Sequence, residues 1–282
     1  MSGDGSRENT TKMALAKPDL GDRLRRYRRS IAVSHVLTRL LTWAAPSAFP
    51  AIFVIGYPRS GTNWVCRILA DVWKIPHIEM SVTPVGSPGV INGHQRVTRH
   101  TERSIYLVRD GRDVLVSLYY WYQARAGHLR PMARRRVHRD VARLVDREAD
   151  IKDAMPEFID LMMTRRHEGG YGWAEHVRSY KRHGEGRIPL IRYEDLHSDP
   201  IKTIQTAVDV FGEEIAPERL KTAIDRNEFA VFTGRSGGEV EYAAAARRGV
   251  VGEWREVFSR EALKRFIDYG GDELKAMNYS LD

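Results

Sequence analysis

The stretch Ala51-Ile52-Phe53-Val54-Ile55-Gly56-Tyr57-Pro58-Arg59-Ser60-Gly61-Thr62-Asn63-Trp64 runs from an unbroken apolar segment into a glycine-containing turn and then into a helical pattern. A short apolar run bounded by turn residues predicts a buried strand over 51–57, and the apolar spacing that follows predicts a helix over 62–73. Amides in such a turn point inward, and the helix N-terminus adds partial positive charge, so a phosphate-like anion fits there. Gly61 lets the backbone approach the anion, Ser60, Thr62 and Asn63 can donate from their side chains, and Arg59 supplies the cation. A Walker A loop requires lysine where this chain has Thr62, which counts against an ATPase or kinase. Taken alone, the same loop is also compatible with a glycine turn that binds nothing.

The pattern repeats outward from this point. Apolar, β-rich runs at 104–109 and 187–193 are each followed by helical spacing, at 112–124 and about 200–211, and further helices are expected near 217–225 and 260–277. In the third unit Ser198 or Asp199 can cap a helix whose first turn holds Pro200. Strands alternating with helices argue for parallel strands and crossover helices, hence an α/β layer fold. No internal repeat or long Gly/Ser or Pro linker divides the chain. The expected organisation is a polar, disordered segment over 1–19, an amphipathic helix over 20–44, and a single domain over 45–282.

With 42% hydrophobic and 29% charged residues in 282, the composition excludes wholesale disorder, collagen-like and membrane-bundle classes. The net charge of +8 is unevenly placed. Residues 1–50 carry +5 and 125–147 carry +6, leaving the remainder at −3. A uniformly basic nucleic-acid coat is thereby disfavoured, and nucleic acid is not an expected partner. Cys66 is the only cysteine, so no intrachain disulfide and no cysteine-rich metal site can form; its neighbours read as a buried helix thiol in a reducing compartment. A cytoplasmic location is expected, with the inner face of a membrane as the place of any association.

No charged residue lies between Arg39 and Arg59, but Pro46 and Pro50 interrupt that run and its second half is the first strand. The Arg25-Arg26 and Arg28-Arg29 pairs lack the long apolar stretch and cleavage pattern of an export signal. Val33, Val36, Leu37, Leu40 and Leu41 fall at helical spacing behind the arginines. The favoured reading is an amphipathic helix packed on the domain, and the alternative is an interfacial anchor on acidic lipid.

Two further elements complement the glycine loop. In Val108-Arg109-Asp110-Gly111-Arg112-Asp113, Arg109 ends a strand, at the edge where open parallel sheets bind ligands. Ser117 lies eight residues on, so both can converge on a second phosphate; Arg109 is also placed to pair with Asp110 or Asp113. In Arg247-Arg248-Gly249-Val250-Val251-Gly252-Glu253-Trp254, two arginines beside two glycines make a flexible basic loop suited to clamping phosphate, although such a feature alone is more often a solvated turn.

These elements in this order resemble the sulfotransferase family that uses 3′-phosphoadenosine 5′-phosphosulfate (PAPS), in particular its cytosolic type. The resemblance runs over roughly 50–280 and continues through Tyr171-Gly172-Trp173 with His176, Ile191-Arg192-Tyr193-Glu194-Asp195-Leu196, and Phe229 followed by Thr233-Gly234-Arg235. It implies a P-loop-NTPase-like layered fold with a central, mainly parallel sheet of about five strands flanked by helices. It further implies that Arg59, Ser60, Gly61, Thr62, Asn63 and Trp64 cradle the 5′-phosphosulfate, with Trp64 also beside the adenine. Arg109, Ser117 and the loop of Arg247, Arg248 and Gly249 would hold the 3′-phosphate, while Tyr193 and Phe229 would line the adenosine pocket. The loop cation, lysine in many members, is arginine here.

The implied reaction moves a sulfuryl group from PAPS to a hydroxyl, releases adenosine 3′,5′-bisphosphate (PAP), and requires no metal. Arg59 would stabilise charge on the leaving side. The family places its general base on a histidine ahead of the second motif. His94, after the apolar Val90-Ile91 pair, is preferred to His100; Asn92 stands where the family usually has lysine. The expected acceptor is a hydroxyl-bearing small molecule, carbohydrate or lipid, with the basic 125–147 segment suited to an anionic or lipid-linked one. It would be contacted by loops near 77–90, 125–147 and 168–171. The rival classes are a P-loop phosphotransferase and a basic module binding anionic lipid or nucleic acid. A Lys-Thr-Val-Glu type dimer signature is absent near 255–265, so no oligomeric state is specified.

Overall fold

A computed structural model describes residues 51–78, 89–101, 103–124, 136–145, 150–164, 171–212, 214–228 and 248–282, together with positions 33, 37, 40, 41, 44, 45 and 231. Its centre is a five-stranded, all-parallel sheet: β1 (Ala51–Gly56), β2 (His77–Ile78), β3 (Gly89–Gly93), β4 (Ser104–Val108) and β5 (Leu190–Arg192), in spatial order β2-β3-β1-β4-β5.

Every residue of β1 is buried, because both faces of the sheet are covered. Successive side chains of a strand point to opposite faces. Phe53 and Ile55 of β1, with Ile91, Tyr106 and Val108, therefore enter one core, whereas Val54, Val90, Ile105, Leu107 and Ile191 enter the other. The first core is closed by α2 (Gly111–Gln123), α3 (Arg136–Val145), α4 (Ile151–Thr164), α5 (Trp173–His183), the short α9 (Trp254–Val257) and α10 (Arg260–Ala276); the second by α1 (Thr62–Trp73), α7 (Pro200–Asp209) and α8 (Pro217–Arg226). Burial on both faces explains why these strands read as continuous apolar runs rather than alternating ones.

The strand order reverses about β1. Its C-terminal end is flanked by the ends of β3 and β4, where Ile55 pairs with Gly93 and Gly56 with Leu107. A crevice at such a switch point is where an open α/β sheet binds ligands.

Several boundaries differ from expectation. The 77–90 stretch, expected as an acceptor loop, supplies β2 and the start of β3. Only Val90 and Ile91 are apolar between the two glycines of β3, too short a run to register; pairing with β1 makes it a strand. The third strand begins at Leu190 rather than 187, and Tyr193 opens a short helix, α6 (Tyr193–Ser198), with Glu194 and Asp195 in its first turn. The Asp199 carboxylate caps α7 by accepting from the Lys202 amide, with Pro200 in the first turn. In the basic segment, α3 buries Val141, Ala142, Leu144 and Val145, so this stretch is one face of a packed helix rather than a wholly solvated one. Val33, Leu37, Leu40 and Leu41 are helical but 57%, 44%, 52% and 37% exposed, so at these positions the apolar stripe is not covered by the domain as expected. Residues 1–19 lie outside the described residues.

Gly111, at the start of α2, lies where two helices meet the strand end: a Cβ there would stand 2.5 Å from Phe266 Cζ and 2.6 Å from Trp173 Cδ2. Gly111→Ala is expected to destabilise the protein by about 1–3 kcal/mol, the usual cost of overpacking. Urea unfolding followed by tryptophan fluorescence measures it, and native stability in this variant would contradict the packing described.

Candidate functional site

The turn after β1 is held in an uncommon backbone conformation. Arg59 has φ 72° and Gly61, the residue preceding α1, has φ 96°. Left-handed φ is costly for a side chain such as Arg59 and is natural only for Gly61. Gly61 is required on a second ground, because a Cβ would stand 2.8 Å from the Tyr193 ring. No side chain caps α1, so its first-turn amides are available to an anion. Ser60 is fully buried, and its hydroxyl has no partner among the described residues. The Ser60 hydroxyl is thus left as a donor for an anion, while the Ser60 amide donates to the Tyr57 carbonyl.

Arg59 reaches across to α2, where its Nε donates to Ser117 Oγ at 3.1 Å. Asn63 Oδ1 accepts from Asn92 Nδ2 of β3 at 2.9 Å. Next along the β3 edge, His94 Nδ1 lies 2.8 Å from the Gly56 carbonyl. A carbonyl can only accept, so Nδ1 carries the proton and Nε2 carries the lone pair. The Tyr171 hydroxyl donates to the His94 carbonyl, fixing the same turn from the other side. His100 is exposed and its Nε2 accepts from its neighbour Arg99, away from this arrangement.

Arg109 follows β4 and is 8% exposed. One terminal nitrogen donates to the Arg59 carbonyl (3.4 Å), the other to the Val250 carbonyl (2.9 Å), and its guanidinium lies 4.4 Å over the Tyr193 ring. Of the two carboxylates in reach by sequence, Asp113 is its partner at 3.7 Å, while Asp110 caps α2 and takes Arg112. Burial works against the Arg109 charge, but Tyr193, Asp113, Glu194 and Glu253 outweigh it. Its Nε has no partner among the described residues.

The third element, Arg248 to Trp254, turns through left-handed Gly249 (φ 65°) and Gly252 (φ 82°). Arg248 pairs with Glu253 at 3.2 Å and Glu256 at 3.3 Å, and its Nε is likewise unpartnered among the described residues. Arg247 and Phe229 lie outside the described residues.

On the rim, Trp64 donates from Nε1 to the Asn227 carbonyl (2.7 Å) and has Tyr193 and His197 rings at 5.7 and 4.9 Å. Neither Asn227 nor His197 was singled out by sequence. His197 stands one helical turn after Tyr193, a signal that becomes visible only once Tyr193 is known to begin a helix.

These features define an α/β protein with a glycine loop at the switch point of its sheet and two further arginine elements, one of which, Arg109, bonds both that loop and the other. The sequence model of the sulfotransferase domain matches residues 92–278, and the chain belongs to that family. It is therefore a PAPS-dependent sulfotransferase. It is 23% identical to mouse sulfotransferase 1 family member D1, over 84% of this chain and 88% of that protein. With human sulfotransferase 1E1 it shares 21% identity over 83% and 88%. Among solved structures, a mouse sulfotransferase complexed with PAP superposes with TM-score 0.59 at 16% identity, covering 86% of this chain and 91% of that one. Retinol dehydratase in complex with androsterone and inactive cofactor PAP superposes with TM-score 0.57 at 19% identity, covering 89% and 86%. Among the described residues, no group of three or more His, Cys, Asp or Glu is arranged to hold a metal.

Beneath the His94 turn, His176 is fully buried, with Nδ1 accepting from the Tyr106 hydroxyl (2.9 Å) and Nε2 donating to the Gln95 carbonyl (3.2 Å). Burial above all, with the neighbouring His94 and Arg96, pushes its pKa down to about 3. Between that value and the ordinary ~6.5 of an unfolded chain, the unfolded state binds the extra proton. Stability is thus expected to fall as pH drops below about 6.5, with a slope from this group of up to ~1.4 kcal/mol per pH unit. Urea unfolding of the native chain and His176→Gln between pH 5 and 7 measures the difference in slope; equal slopes would refute the assignment.

Proposed function

We propose that the chain transfers the sulfuryl group of PAPS to a hydroxyl of a small-molecule, carbohydrate or lipid acceptor, with His94 as general base and Arg59 as the electrostatic stabiliser. The observation that carries this reading is the Nδ1–H bond from His94 to Gly56, which presents Nε2 as a base beside the phosphate loop. The unpartnered Ser60 hydroxyl and the Nε groups of Arg109 and Arg248 fit a ligand with two separated anionic groups.

PAPS brings a sulfuryl group already activated on its 5′-phosphate. His94 Nε2 takes the proton of the attacking hydroxyl as the new sulfur–oxygen bond forms, and the bond from sulfur to the bridging phosphate oxygen breaks. Arg59, with Ser60, Thr62, Asn63 and the first amides of α1, meets the charge growing on that oxygen. Trp64 and Tyr193, with Phe229, hold the adenosine, and Arg109, Ser117, Arg247, Arg248 and Gly249 hold the 3′-phosphate. Preorganised donors of this kind commonly contribute more than any other single device, and the general base adds ~10²–10⁴-fold.

The acceptor side is a matter of surface charge and loops. Arg143 is exposed on α3 opposite its buried face, and the +6 segment around it suits an anionic or lipid-linked acceptor. A second reading, peripheral contact with an anionic membrane on the cytoplasmic side, is favoured by the exposed Val33, Leu37, Leu40 and Leu41 stripe preceded by five arginines over 23–29. No helix among the described residues is long and apolar enough to cross a membrane.

Transfer of labelled sulfate from PAPS into metabolite and lipid extracts tests the reaction. Thermal shift should show stabilisation by PAP and little by ATP with Mg²⁺; the reverse result would sink the reading. His94→Gln is expected to abolish turnover while PAP affinity stays within about twofold, and Arg59→Ala to lower kcat by ~10²–10³-fold. For the membrane reading, cosedimentation with phosphatidylserine vesicles should exceed that with phosphatidylcholine alone and be lost in Leu37→Glu/Leu41→Glu. Equal cosedimentation with both lipids would remove it.

A further inference from the structure

Asp113 belongs to none of the groups assigned above to the donor or acceptor, yet it is 1% exposed and bonds two of the elements proposed to hold the donor. Its Oδ2 accepts from the Gly252 amide at 2.7 Å, its Oδ1 from the Trp254 amide at 2.9 Å, and Arg109 lies 3.7 Å from Oδ2. We propose that Asp113 is the positioning residue through which the chain recognises the donor's 3′-phosphate, by locking the 248–254 loop and Arg109 into one arrangement. The inference rests on the PAPS reading.

At its far end the loop is anchored by the Trp254 side chain, which is buried in the core with the Arg112 guanidinium 3.7 Å over its ring. The loop turns through two left-handed glycines, and its middle is tied to the body of the protein by Val250 accepting from Arg109. That tie also leads to Asp113, because Arg109 is its ion-pair partner. The carboxylate therefore bonds two backbone amides of a segment 139 residues away in sequence and pairs with the arginine that holds its Val250 carbonyl.

The consequence is geometric. Arg109 and Arg248 each keep an Nε without a partner among the described residues. Arg248 is steered from its own side by Glu253 and Glu256. Asp113 thus ties the backbone of the loop that carries Arg248 to the side chain of Arg109, and so bears on the separation of the two guanidinium groups. A 3′-phosphate is the group that would read that separation, while the 5′ end of the nucleotide is served by the loop before α1.

The carboxylate is specifically suited to this. Burial raises its pKa, and Arg109 with the two amides pulls the other way. An amide in its place would keep one acceptor oxygen and present a donor to a backbone N–H. Glutamate would move the loop by a methylene.

The test compares PAP with adenosine 5′-phosphosulfate, which lacks the 3′-phosphate, by calorimetric titration of the full chain, and adds steady-state kinetics with PAPS. Asp113→Asn is expected to weaken PAP about ten- to a hundredfold while changing adenosine 5′-phosphosulfate less than about threefold. The KM for PAPS should rise with the PAP dissociation constant, with kcat at saturation within about threefold of native. A purely structural role would weaken both nucleotides alike, and that result overturns the inference, as does native discrimination surviving in Asp113→Asn. Native protein that binds PAP no better than its comparator overturns the PAPS reading together with this inference. If Asp113→Asn does not fold, Gly252→Ala strains the same tether from the loop side. It should show the same selective loss; an unchanged preference for PAP there overturns the inference as well.

Discussion

A buried guanidinium needs partners for its charge, and Arg109 finds them by joining three parts of the chain. It donates to the phosphate loop through the Arg59 carbonyl and to the C-terminal loop through Val250, and it lies against Tyr193 and Asp113. Leaving a buried charge unpaired would be strongly destabilising. The two loops are therefore held together by the same requirement that keeps Arg109 charged. Glu194 extends the arrangement, accepting from the Asp110 amide and the Tyr279 hydroxyl, so that the C-terminal tail also braces the start of α2.

The reacting side of the site is built differently. His94 depends on a strand end and one carbonyl, with His176 kept neutral beneath it between Tyr106 and Gln95. The neutral imidazole is stacked on Tyr106, which is itself stacked on Tyr180. Rigid aromatic layers under the His94 turn limit its freedom to tilt. The surroundings of Arg109, in contrast, rely on charge pairs and glycine turns.

Much of this was legible in order along the chain. The strand and helix around the glycine loop, the strand ending at Val108 and the cap at Asp199 follow from local pattern and turn chemistry. The pairing of Arg109 with Asp113 was open between two carboxylates, and it falls to Asp113 because Asp110 is taken up by capping α2 and pairing with Arg112. β3 was not legible, since two apolar residues between glycines carry no period. α6 was hidden because Tyr193 continues an apolar run and begins a helix in the same step. The leucine stripe of the N-terminal segment was read as packed, for a periodic apolar face announces burial without saying against what.

By itself the sequence determined the alternation of strands and helices, the position of the anion loop and the family to which the chain belongs. All of these depend on residues close to one another in the chain. Tertiary structure alone decided that β3 inserts between β2 and β1, that His94 finds the Gly56 carbonyl, and that Asp113 meets Gly252 and Trp254. Those contacts join segments distant in sequence, and a hydrogen bond acts only over the few ångströms that folding creates.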